Sequence, residues 1–153
     1  MRVAIASDHG GYGQKEPIAD FIRSLGHEVV DYGPFSPDSV DYPDYADKVA
    51  RAVAREDADR GVLLCGTGLG MAITADKVPG IRAAAIQSIE FVELFRKHND
   101  GNVLALSGRF VGLESNERLV KIFLETEHEG GRHSRRVEKI MREDDPAFEG
   151  VTD

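Results

Sequence analysis

Cys65 is the only cysteine in a chain of 153 residues, and it closes the oily run Val62-Leu63-Leu64. Gly66, Gly68 and Gly70 follow within five positions, with Thr67 between the first two. A thiol at the mouth of a strand, before a turn stripped of side chains, lets backbone amides approach a ligand closely. Amides that lead into a helix N-terminus, with the helix dipole behind them, stabilise negative charge on oxygen. They favour a thiolate for the same reason, and a thiolate available at the working pH is a competent general base. Thr67 adds a hydroxyl donor. A proton acceptor beside an oxyanion cradle is what enolisation of a sugar carbonyl requires, so Gly66, Thr67, Gly68, Leu69 and Gly70 are the expected ligand contacts. The bland alternative uses the same residues. Lone cysteines at strand ends are commonly small buried hydrophobes, and glycines in a βα turn commonly serve only the turn.

Four other uses of this loop fail on spacing. The dinucleotide pattern G-x-G-x-x-G breaks at Met71, and the loop follows the third strand rather than the first. No Gly-Lys-Ser/Thr follows, as a P-loop demands. The arginine that a cysteine phosphatase needs six residues on is Met71 here, and no C-x-x-C exists for thiol exchange.

The remaining polar candidates fall in three groups. Asp8 and His9 follow the first strand and face the same crevice, although an aspartate there can equally cap a helix. His98 and Asn99 precede the fifth strand, at the opposite end of the sheet, where His-Asn-Asp-Gly is also ordinary turn chemistry. Arg109 lies after the fifth strand, and Arg132 and Arg136 share a face if their segment is helical. Arginine forks match phosphate oxygens, and the alternative is a solvated basic face. No metal site is expected, because the five histidines are scattered without ligand spacing.

The elements that must position these residues follow from patterning. Apolar runs at 2–7, 27–32, 61–66, 81–86 and 102–107 predict five strands buried on both faces. Helices are expected at 11–25, 42–56, 69–78, 88–97, 112–127 and 134–143, with Gly26 and Pro79-Gly80 as stops. Alternation of strand and helix predicts an α/β fold, a Rossmann-like three-layer α/β/α sandwich with a five-stranded parallel sheet in the order 2-1-3-4-5. Ligands then bind beyond the carboxyl ends of strands 1 and 3. Residues 1–142 form one domain including the C-terminal helix, and 143–153 an acidic tail. The net charge of −8 argues against nucleic acid or an anionic membrane as partner. The basic stretch 128–136 suits a small anion instead. One cysteine and no apolar run of membrane length make the cytoplasm the expected location.

With these residues in place, the chain resembles the ribose/galactose-6-phosphate isomerase family. The likeness is carried by "DHGG" (8–11), "DYPDYA" (41–46), "CGTGLGM" (65–71), "DKVPGIRA" (76–83), "HNDGNVLALSGR" (98–109) and "EGGRHSRRV" (129–137). It implies an aldose–ketose isomerase interconverting ribose 5-phosphate and ribulose 5-phosphate without cofactor, as a homodimer or tetramer with active sites across an interface. Six-carbon and four-carbon sugar phosphates remain as alternative substrates, and a non-catalytic phosphosugar- or nucleotide-binding module as an alternative class. By resemblance Cys65 is the base that moves a proton between C1 and C2. His98 opens the sugar ring, with Asp8 also at the catalytic centre. Thr67 and the loop amides hold the anion, Asn99 and His9 contact ligand, and Arg109, Arg132 and Arg136 surround sugar and phosphate. Tyr42 falls at a position lining the site. Relatives that lack the cysteine use a glutamate at the place of Met71, so Cys65 has no rival here.

Overall fold

The computed structural model describes residues 1–152. Strands β1 (Arg2–Ser7), β2 (Glu28–Asp31), β3 (Arg60–Cys65), β4 (Ala83–Ala85) and β5 (Val103–Ser107) form one parallel sheet. Between and after them run α1 (Tyr12–Ser24), α2 (Tyr42–Ala54), α3 (Leu69–Ala75), α4 (Ile89–Asn99), α5 (Leu113–Glu125) and α6 (Arg132–Met141). A 3-10 turn, Arg142–Asp144, follows α6 and docks back through Asp144, whose carboxylate accepts the Gly80 N–H at 2.8 Å. No described helix is long and apolar enough to cross a membrane.

Side chains alternate across the sheet and build two cores. Ala4, Ala6, Leu63, Cys65, Val103 and Ala105 face α2 and α3, a side made thin by alanine. Val3, Ile5, Val62, Leu64, Leu104 and Leu106 face α1, α4 and α5 with bulkier groups such as Phe123 and Ile22. The layered α/β/α architecture is thus the expected one, and α6 packs outside it on α4.

The strand order corrects the expected 2-1-3-4-5: the sheet runs β2-β1-β3-β5-β4. The reason is burial. All five residues of β5 are buried, whereas β4 is three alanines that are each partly exposed. A run with Val103, Leu104 and Leu106 gains most in the interior, and a short alanine strand suits the edge. The expectation that every strand is buried on both faces therefore fails for the two outer strands, β2 and β4. This reordering matters for chemistry, because it sets the loop after β5 directly against the loop after β3.

Candidate active site

Three loops meet beyond the carboxyl ends of β1, β3 and β5, and glycines let them touch backbone to backbone. A side chain on Gly10 would lie 2.9 Å from the Gly66 amide nitrogen, and one on Gly108 would lie 2.8 Å from the Gly10 carbonyl. Hydrogen bonds tie the three together: Asp8 N–H to the Leu64 carbonyl, Gly108 N–H to that of Cys65, and Arg109 N–H to that of Gly66. The Ser107 hydroxyl also donates to the Gly66 carbonyl at 2.7 Å.

Cys65 stands at the centre of this junction. It is 5% exposed, and its Sγ accepts the Gly68 N–H at 3.0 Å. That bond needs Gly68 at φ +84°, a left-handed conformation that costs a residue with a side chain roughly 1–2 kcal/mol. The loop therefore wraps the sulfur itself, and the Gly68 amide is already engaged. The Leu69 N–H is engaged as well, donating to Thr67 Oγ1 at 3.3 Å, which leaves the Thr67 hydroxyl proton free to donate.

The neighbouring candidates are placed by their own loops. Asp8 Oδ1 accepts the N–H groups of Gly10 and Gly11 at 2.7 and 3.0 Å, shaping the turn between β1 and α1. His9 is exposed, and its Nδ1 accepts the Val40 N–H at 3.3 Å. The Tyr42 ring lies over Gly70, where an added Cβ would be 2.7 Å from two ring carbons. Arg109 arches over Gly66, with its Cδ 3.3 Å from where a Cβ would be. Behind these, buried Lys15 bonds both Asp31 oxygens at 2.7 and 2.6 Å and the Pro34 carbonyl at 2.8 Å, fixing the segment that carries Val40.

His98, Asn99, Arg132 and Arg136 are not in this junction. α4 returns its last turn to the start of β5, so these residues sit at the other end of the sheet, the length of β5 away, about 13 Å. There the His98 ring stacks on His133, with centroids 4.0 Å apart and planes 7° from parallel. His98 Nε2 is 3.8 Å from Glu129 Oε2. His133 is 4% exposed, and its Nε2 is buried without a hydrogen-bond partner. Burial lowers the pKa of His133 from the ordinary 6.5, and the nearby His98 and Arg132 push in the same direction.

Spacing alone gave no sign of this group, because His98 and His133 meet only when α6 packs on α4. Polar atoms of His98, Glu129 and His133 lie within 4.8 Å of one another. As a metal centre the arrangement is poor. Imidazole lone pairs lie in the ring plane, so two stacked rings aim them side by side rather than at one ion.

Residues 3–140 match the family model described as Ribose/Galactose Isomerase. Among curated proteins, a putative sugar phosphate isomerase of Bacillus subtilis is 46% identical over 92% of this chain and 95% of its own length. Ribose-5-phosphate isomerase B of Escherichia coli is 45% identical over 91% and 93%. Among solved structures, ribose-5-phosphate isomerase B of Clostridium thermocellum superposes with a TM-score of 0.92 at 49% identity, covering 94% of this chain and 97% of that one. The Mycoplasma genitalium enzyme with bound ribulose-5-phosphate gives 0.90 at 43% identity, covering 94% and 95%. With full-length matches at this identity and the same fold, the chain belongs to the ribose/galactose isomerase family.

Proposed function

We propose that this chain is an aldose–ketose isomerase that interconverts ribose 5-phosphate and ribulose 5-phosphate, with Cys65 as the base. The observation that carries the base assignment is the Gly68 N–H aimed at the Cys65 sulfur where the three loops meet. Family membership and relatives named for ribose 5-phosphate support the substrate class.

The Cys65 thiolate takes the C2 proton of the open-chain aldose, and the electron pair moves onto the carbonyl oxygen. The resulting enediolate is held by free loop amides and the Thr67 hydroxyl, and shuttling of a proton between O1 and O2 allows the thiol to return its proton to C1. Arg109 and Tyr42 flank the crevice, while Asp8 and His9 shape its near wall. A second protomer supplies His98 for ring opening, Asn99 beside it, and Arg132 and Arg136 for phosphate. That assembly explains why one chain holds its site residues at two ends of the sheet. Exposed Leu69 and Ile73 on α3, and Phe91 and Leu94 on α4, are apolar groups of the kind such an assembly would cover. A base that works only as a reduced thiol suits the cytoplasm.

Replacing Cys65 by alanine is the test. Turnover should fall by about 10²–10⁴, the usual worth of a positioned base, while calorimetry shows ribose 5-phosphate still bound. An unchanged kcat would remove Cys65 from the mechanism. Comparing kcat/KM for four-, five- and six-carbon phosphates fixes the chain length, with the pentose expected to lead.

A further inference from the structure

The stacked pair His98–His133 has no role in the reaction beyond the one proposed for His98 itself. We propose that His133 is a positioning residue for His98: its ring holds the His98 ring in one orientation and keeps the pair to a single proton, carried by His98. The inference rests on the ring-opening assignment of His98.

Three observations carry it. The rings are parallel within 7° and stacked with centroids 4.0 Å apart, so the face of His98 turned towards α6 is fixed by a flat neighbour rather than by a flexible chain. His98 remains partly open and has a carboxylate, Glu129, at 3.8 Å from its Nε2. His133 is buried, and among the described residues no side chain or carbonyl of this chain lies within hydrogen-bond reach of its Nε2 to take up a second N–H. A proton placed on His133 would add a buried, unbonded donor next to another imidazole, whereas a proton on His98 meets solvent and Glu129. The charged groups close enough to bias His133 are His98 on α4, Arg132 and Arg136 on its own helix, and Glu129 in the loop before that helix. All but Glu129 oppose a charge on it, and its depressed basicity follows the same sense.

The placement suits ring opening in particular. Opening a furanose requires a proton to leave the anomeric hydroxyl and another to reach the ring oxygen, so one imidazole must be held in register with both atoms. A histidine that shares its position with a second charged ring would be repelled out of register. A neutral stacked ring holds it without competing for the proton.

Ribulose 5-phosphate separates this role from the rest of the chemistry. Its phosphate occupies the only hydroxyl that could close a five-membered ring on C2, so it is an open chain. Exchange of its C1 hydrogen with D2O needs the base and the anion cradle but no ring step. In His133→Ala, net conversion of ribose 5-phosphate should fall about tenfold or more, while C1 exchange of ribulose 5-phosphate stays within about twofold of the unsubstituted protein. In His133→Phe, which keeps a flat ring, most of the lost conversion should return. Equal losses in both reactions, no loss in either, or no recovery with phenylalanine would each overturn the positioning role. NMR titration of the unsubstituted protein decides the proton count without any variant. His98, identified by its missing signals in His98→Ala, should take the first proton, and His133 should stay neutral past that midpoint. The reverse order overturns the proposal. His98→Ala also serves as control: if it leaves ribose 5-phosphate conversion intact, the ring-opening assignment has failed rather than the pairing.

Discussion

Gly70 and Gly68 show how single positions govern the candidate site. A Cβ on Gly70 would press into the Tyr42 ring at 2.7 Å, but that ring is 40% exposed and can swing outward. Gly70→Ala is therefore expected to fold normally and to raise KM for the sugar phosphate several-fold with a smaller change in kcat, as steady-state kinetics would show. Gly68 has no such outlet. Its φ is +84°, and a Cβ would meet backbone atoms of Ala105 and Leu106 at 3.2 Å. Gly68→Ala should lose about 1–2 kcal/mol of stability in urea melts, and turnover with it, because the amide that faces Sγ moves. His133 adds a pH effect whose sign follows from its lowered pKa. The unfolded chain binds a proton there near pH 6.5 and the folded chain resists it, so stability is full above that pH and falls as pH drops below it. His133→Phe should lose less stability than the unsubstituted protein between pH 7 and 5, as paired thermal melts would reveal.

At the scale of elements, β5 and the segment after β2 do the positioning. Placing β5 beside β3 brings Arg109 over Gly66, and Ser107 clamps the Gly66 carbonyl. With β4 in that place, Arg109 would be one strand further away. The segment 33–40 is held by Lys15, which is 3% exposed and gives its ammonium to Asp31 and the Pro34 carbonyl. Lys15→Met leaves the largely buried Asp31 carboxylate without its cation, a change that costs about 3–5 kcal/mol. Denaturant unfolding should show that loss. Because Val40 binds His9 and Tyr42 lies two residues on, KM should rise as well, whereas Lys15→Arg should recover part of both.

At the scale of the whole molecule, the proposed function joins residues from the two ends of the sheet through a second protomer. If each crevice takes His98 from a second protomer, then Cys65→Ala and His98→Ala, each inactive alone, should complement when mixed. A mixed dimer carries both lesions in one site and none in the other, so random exchange between equal amounts restores about a quarter of full activity. Activity that stays at background after verified subunit exchange would place both residues in one chain's own site, against the distance that the sheet imposes.

Much of this was legible in the order of residues. Alternating strands and helices, the stop at Gly26, and the loops after β1 and β3 depend on local patterning, which a sequence displays directly. The placement of Cys65 beside its glycines was visible for the same reason, since those residues are neighbours in the chain. Tertiary structure alone decided the exchange of β4 and β5, because edge and centre are settled by competition between whole strands for burial. It alone brought Glu129 and His133 to His98, since that contact exists only where α6 lies on α4. The sulfur's hydrogen bond belongs with these: composition supplies a glycine, but only the folded junction of three loops turns its N–H towards Cys65.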